Sequence, residues 1–418
     1  MSPLRRSAAA TFRALDVELR GRRLRIVLAV LIALAATFLA LCVQSIVTAG
    51  PPYKFGDFQA LWTSAYLAHE GEAATNYDPD ALHARQVALG MRAGEHNPFP
   101  YPPIFLLMLA PLGGLPRAAA YALFMGASLA FYLWTSIGGR WRAWPRLLGA
   151  LAAPSTGVNL IFGQTGFLAG GFMLGGLALA ERRPIAAGVL LGLLAYKPQL
   201  GALVPVALIA AGLWRTTAAA AATLLACAAA ATFVFGAGVW GQWLASLAAY
   251  SQMAMVDRLM PTIAGALRLA GAPAAVALAA QAAAALAVGV VVWRACRWGV
   301  TPRAAALVAV GAFLATPHAL NYDLPMMAAA AIWYADRRLR ATQSLFVSEI
   351  VVLALALALP LAELGFGDHA PPIAWTPIVA LFALIAVDPH AARAAPPGQA
   401  NSTEFRRPLP SAQLAAQG

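Results

Sequence analysis

Charge is what this sequence has least of. Only 11% of its 418 residues are Asp, Glu, Lys or Arg, against about 25% in soluble domains, so most of the chain cannot face water. Hydrophobic residues make up 61% and the mean hydropathy is +0.70. Many apolar runs approach the roughly 20 helical residues that cross a hydrocarbon layer. A cytosolic enzyme, a secreted domain and a DNA-binding protein are thereby excluded. Cysteine is scarce as well. Cys42, Cys227 and Cys296 lie in or beside apolar segments without pairing or metal spacing, which reads as small buried hydrophobes rather than a disulfide frame or a zinc site. No Gly-rich phosphate loop follows a strand, and no soluble α/β domain is present to hold a nucleotide.

What is present is a polytopic pattern. The net charge of +12 is spread in short clusters between apolar runs, as topology signals are, and does not form a stripe for nucleic acid. Residues 1–25 carry seven arginines against Asp16 and Glu18, which predicts a basic cytoplasmic N-terminus. The apolar run 26–49 is too long for a signal-peptide core of about 7–15 residues and reads as a first spanning helix. Residues 50–100 then form a long extracytoplasmic loop holding Asp57, Glu70, Glu72, Asp78, Asp80 and Glu95. Further helices are expected at 101–115, 118–137, 146–161, 165–180, 185–196, 199–214, 216–238, 273–293, 303–317, 324–335, 345–362 and 373–387. The expected fold is an all-α integral-membrane bundle of about 11–13 transmembrane helices, one membrane domain over 26–389, followed by a disordered cytoplasmic tail at 390–418. Counting crossings forward puts Arg140, Arg142 and Arg146 outside and counting backward from Arg182 puts them inside, so one segment between 101 and 161 is expected to be re-entrant or too short to cross.

If the recurring arginines at 182–183, 215, 294–303 and 337–340 are cytoplasmic, the polar residues gather at the opposite face. Asp57, in Gly56-Asp57-Phe58-Gln59-Ala60-Leu61-Trp62, has two readings. It is a solvated loop acid or helix cap, or it is a partly desolvated carboxylate suited to take a proton from a hydroxyl. The 29 basic residues include only two lysines, Lys54 and Lys197, both expected at this face. Lys197 reads equally as a compact charge for a phosphate and as a snorkelling interface residue; for Lys54 the second reading is favoured. His318, Tyr322 and Asp323 end an apolar run, where ionisable residues are functional candidates, although a helix-end histidine bonded to backbone is the plain alternative. Gln164 binds sugar hydroxyls or caps a helix. Tyr101, before Pro102-Pro103, reads as a packing or interface aromatic, and Trp240, Trp243 and Tyr250 as an interfacial helix touching a lipid tail or an ordinary aromatic belt.

The stretch from Gly56 to Tyr77, then Asp78-Pro79, Tyr101-Pro102-Pro103, Pro111-Leu112, Leu115-Pro116, Gly163-Gln164 and Ala187-Gly188 through Gly192-Leu193 to Lys197-Pro198 resembles glycosyltransferase family 87 over roughly residues 50–215. Beyond 215 only Thr316-Pro317-His318 to Tyr322-Asp323 is similar. The resemblance implies a GT-C-like bundle, that is, one of the C-type membrane glycosyltransferases, with an extracytoplasmic active site in the bacterial inner membrane. It implies a polyprenyl-phosphate hexose donor, typically mannose, and a glycolipid or glycan acceptor. It implies Asp57 as general base in an inverting transfer that needs no metal; the residues themselves make Lys197, His318, Gln164, Tyr322, Asp323 and Lys54 the candidates to bind the donor phosphate or the sugar, and no cofactor is expected. Asp78 would belong to a structural turn. The competing reading is a transporter or flippase of lipid-linked sugars, but the sequence lacks the internal repeat such proteins often carry.

Overall fold

The computed structural model describes residues 16–49, 56–95, 97–138, 143–250, 260–366 and 373–387. Lys54, Arg140, Arg142, the first 15 residues and the 390–418 tail lie outside them. The described residues through Ala386 belong to one compact unit, built almost entirely of helices.

The first helix, α1 (Gly21–Thr48), buries only Leu24 and Cys42 and leaves large side chains such as Ile32, Leu34 and Val47 exposed. A helix apolar all round with nothing packed on most of it is stable only in a hydrocarbon solvent. The expected loop that follows is itself largely helical, with α2 (Phe58–His69), a 3-10 turn at Ala73–Tyr77 and α3 (Pro79–Ala88). Next come α4 (Pro103–Gly113) and α5 (Arg117–Ser136). The single helix expected over 146–161 is broken into α6 (Trp144–Ala152) and α7 (Pro154–Phe162). Pro154 has no N–H to continue the first helix and a backbone preset to start the second. With 9 residues each, neither half crosses a bilayer.

The chain continues through α8 (Gly166–Leu179), α9 (Pro184–Leu193), α10 (Leu203–Ala210) and α11 (Trp214–Phe235). Then follow α12 (Gly238–Tyr250), α13 (Ile263–Leu269), α14 (Ala274–Cys296), α15 (Pro302–Ala315), α16 (Pro325–Thr342), α17 (Val347–Phe366) and α18 (Thr376–Val387). Among the described residues, four helices are long and apolar enough to span a membrane (α1, α5, α11 and α14), and six shorter apolar helices accompany them. The core is formed by α8, α15 and the first half of α16, which are mostly buried.

Polar pairing at one end of the bundle was not expected. A short antiparallel ladder joins β1 (Glu18–Arg20) to β2 (Ser344–Phe346). Beside it, Glu349 accepts hydrogen bonds from Tyr334 and from the Arg338 guanidinium, all three buried. Asp336 accepts from Arg146 at 2.7 Å and from Arg340 at 2.8 Å. Arg146 therefore sits at the same end as Arg337, Arg338 and Arg340, the placement that the count backward from Arg182 expects.

Candidate active site

At the other end, α2 begins from Gly56, whose φ is +55° and where a Cβ would overlap the carbonyl oxygen of Ile161 in α7. Only glycine permits that close approach, and it sets Asp57 against the α7–α8 break. Asp57 occupies the N-cap position of α2, yet its side chain makes no cap bond. Asp78, by contrast, accepts from the backbone N–H groups of Asp80 and Ala81 at 3.1 and 3.0 Å and caps α3. Of the two acids, the second has the ordinary capping role, and the first points elsewhere.

The Asp57 carboxylate accepts a hydrogen bond from Gln164 Nε2 at 3.1 Å. Gln164 Oε1 in turn faces the Tyr101 hydroxyl at 3.4 Å. Burial pushes the Asp57 carboxyl up to about 6, with the Gln164 bond pulling it down and the negative charge of Glu95 adding to the rise. That is the behaviour of a carboxyl shielded from water with one amide donor and, among the described residues, no cation beside it. Gln164 lies in the turn between α7 and α8. The Asn159 side chain, turned to suit its neighbours, donates to the Gln164 carbonyl and accepts from Phe167 N–H, both at 3.0 Å, so the break is held from beneath.

Behind Tyr101 lies a buried ion pair. Lys197 Nζ, at the turn after α9, meets Asp323 Oδ1 at 2.5 Å, and both side chains are 3% exposed. The ammonium stands 4.9 Å from the Tyr322 ring and 5.6 Å from the Tyr101 ring, within range of cation–π attraction. Asp323 Oδ2 also accepts from Leu320 N–H at 3.3 Å, which fixes the 3-10 turn Asn321–Asp323. That turn rests directly on α8, since a Cβ on Gly166 would overlap the Tyr322 carbonyl oxygen.

Five candidates from the sequence, Asp57, Gln164, Lys197, Tyr322 and Asp323, are thus brought together. Lys197 is not an exposed cation, because its charge is already offset by Asp323. His318 is exposed on the approach to the same turn, where its backbone bonds the Thr316 hydroxyl. Lys54 lies outside the described residues. Tyr101 was read as packing, but its hydroxyl joins the polar chain while its ring packs on Phe105 and Tyr196. A tyrosine held extended by the two prolines after it was the signal available. Trp243 in α12 donates to the Pro100 carbonyl at 3.1 Å and so steadies that segment rather than only lining an interface. Asn321, buried beside Tyr322, has no side-chain partner among the described residues and was not singled out from the sequence.

A lipid-exposed helical bundle that holds a proton-avid carboxylate on a chain of buried polar side chains has the build of a multi-pass membrane enzyme. Residues 99–317, more than half of the chain, match the family described as glycosyltransferase family 87. The chain belongs to that family and is a membrane enzyme that transfers sugars. The matched residues include Tyr101, Gln164 and Lys197, while Asp57 and the turn from His318 to Asp323 flank them. No curated protein and no solved structure matches the chain.

Proposed function

We propose that the protein transfers a hexose, mannose by family resemblance, from a polyprenyl-phosphate donor to a lipid or glycan acceptor at the extracytoplasmic face of the bacterial inner membrane. Asp57 is the general base. It takes the proton of the acceptor hydroxyl as that oxygen bonds the anomeric carbon. The bond from that carbon to the phosphate oxygen breaks, and polyprenyl phosphate leaves with the electron pair. One displacement of this kind inverts the anomeric configuration. Gln164 and Tyr322 line the sugar side, the Lys197–Asp323 pair anchors the turn beneath the donor, and His318 stands at the rim where the phosphate enters.

The observation that carries this reading is the Asp57 carboxylate, which leaves its helix unhindered by capping and is held by Gln164 beside the buried cluster. Purified protein given radiolabelled polyprenyl-phosphate mannose and total membrane lipids should label a lipid or glycan product. Asp57→Asn should lower that labelling at least 100-fold, the lower end of what a positioned base contributes, about 10²–10⁴, while expression and folding persist. Near-normal turnover by Asp57→Asn would remove Asp57 from the mechanism.

A further inference from the structure

We propose that Tyr101 is a positioning residue whose hydroxyl determines which end of the Gln164 amide faces Asp57. A glutamine amide is nearly symmetric in shape, but one end donates and the other only accepts. Turned one way, Gln164 gives the carboxylate a hydrogen bond. Turned the other, it places an acceptor against an acceptor. Among the described residues, the one hydrogen bond to Gln164 Oε1 comes from the Tyr101 hydroxyl, at 3.4 Å. That distance is long for an O–H donor, but Tyr101 and Gln164 are both buried and water competes little there.

Tyr101 is itself immobilised, as an orienting donor must be. Its carbonyl accepts from the Tyr77 hydroxyl at 3.0 Å, the preceding carbonyl accepts from Trp243, and its ring centroid lies 4.7 Å from that of Phe105. Among the described residues, the charged and titratable groups around Asp57 are Glu95, from the segment after α3, and Tyr322, from the turn before α16. The Lys197 ammonium, paired with Asp323, also donates to the Tyr101 hydroxyl oxygen and the Tyr322 hydroxyl adjoins it; with its oxygen accepting from Lys197, the Tyr101 hydroxyl is left to donate to Gln164. Glu95 adds negative charge, and the ion pair is internally offset. Burial raises the Asp57 carboxyl and the Gln164 bond opposes that rise, so turning the amide would remove the one side-chain donor that favours the ionised form. The base role of Asp57 rests on the function proposed above; the orientation of Gln164 does not.

Tyr101→Phe deletes the hydroxyl and keeps the ring. The acidic limb of the kcat/KM profile should move upward by about one pH unit, a tenfold change in ionisation, with the alkaline plateau unchanged. Gln164→Leu should move the acidic limb in the same direction while its plateau also falls with the lost sugar contact, and adding Tyr101→Phe to it should move the limb no further. Infrared difference spectra, with the Asp57 carboxyl band assigned by its loss in Asp57→Asn, read the titration without any reaction. Its midpoint should rise in Tyr101→Phe and in Gln164→Leu alike. A midpoint that rises in a protein unable to use polyprenyl-phosphate sugar would defeat the proposed function and leave the positioning role intact. An unmoved midpoint in either variant, or a rate loss in Tyr101→Phe equal at all pH values, would overturn the positioning role. If Tyr101→Phe does not fold, Tyr101→Leu, which also lacks the hydroxyl, is read by the same midpoint.

Discussion

A base must be ionised to work, and burial resists ionisation. Burial holds the Asp57 carboxyl up at about 6, so kcat/KM should be flat above that pH and fall about tenfold per unit below it, which a rate profile of the free enzyme checks. The stability sign is opposite. A carboxyl raised on folding contributes stability that is present below the ordinary carboxylate range and is lost as pH rises through about 6. Asp57→Asn should therefore unfold no earlier than the parent above pH 6, as thermal unfolding across pH would show. The Lys197–Asp323 pair obeys a different rule. Lys197→Ala leaves a buried carboxylate unpaired and should cost about 3–5 kcal/mol, whereas replacing the pair by Lys197→Met with Asp323→Leu should restore most of that loss. Unfolding free energies of the two variants measure the difference, and equal destabilisation would mean that the charges are not coupled.

Between elements, close backbone approach places these side chains. Gly166 lets α8 touch the Tyr322 turn, so Gly166→Ala must push them apart. We expect a loss of about 1–3 kcal/mol, as for other overpacked cores, together with loss of sugar transfer. Gly126 in α5 has open space around it, and Gly126→Ala should instead stabilise by about 0.5–1 kcal/mol. Unfolding midpoints of the two variants should move in opposite directions. The long apolar helices were legible because hydrophobic runs state their own length; α1, α5, α11 and α14 match the expected segments to within a few residues. α2 was not legible, because its buried face includes Gln59, Thr63 and Ser64, which read as loop residues. The break at Pro154 was hidden inside one apolar run. The ladder of β1 with β2 was also out of reach, since three-residue strands far apart in the chain carry no periodic signal.

At the scale of the whole molecule, the chain sorts its polar groups to two ends. The candidate residues at the site end were legible one by one, but the pairing of Asp57 with Gln164, 107 positions apart, is a property of the folded bundle and could not be read from spacing. The opposite end gathers Arg20 on β1, Arg146, and Arg337, Arg338 and Arg340 on α16. Arginine-rich ends remain in the cytoplasm because moving them across the bilayer is costly, so Asp57 should face outward. The orientation can be read with single cysteines. Cys42 and Cys296 are buried and need no change, while Cys227→Ala removes the partly exposed one. On that background, Glu70→Cys lies just past the C-terminal end of α2, whose 12 residues are too few to cross the bilayer from Asp57, and Ala341→Cys near the end of α16, both at exposed positions. A membrane-impermeant maleimide added to intact spheroplasts should label Glu70→Cys and spare Ala341→Cys, and inside-out vesicles should reverse the pattern. Labelling of Ala341→Cys from the outside would place Asp57 in the cytoplasm, and the donor would then have to be loaded and used on that side.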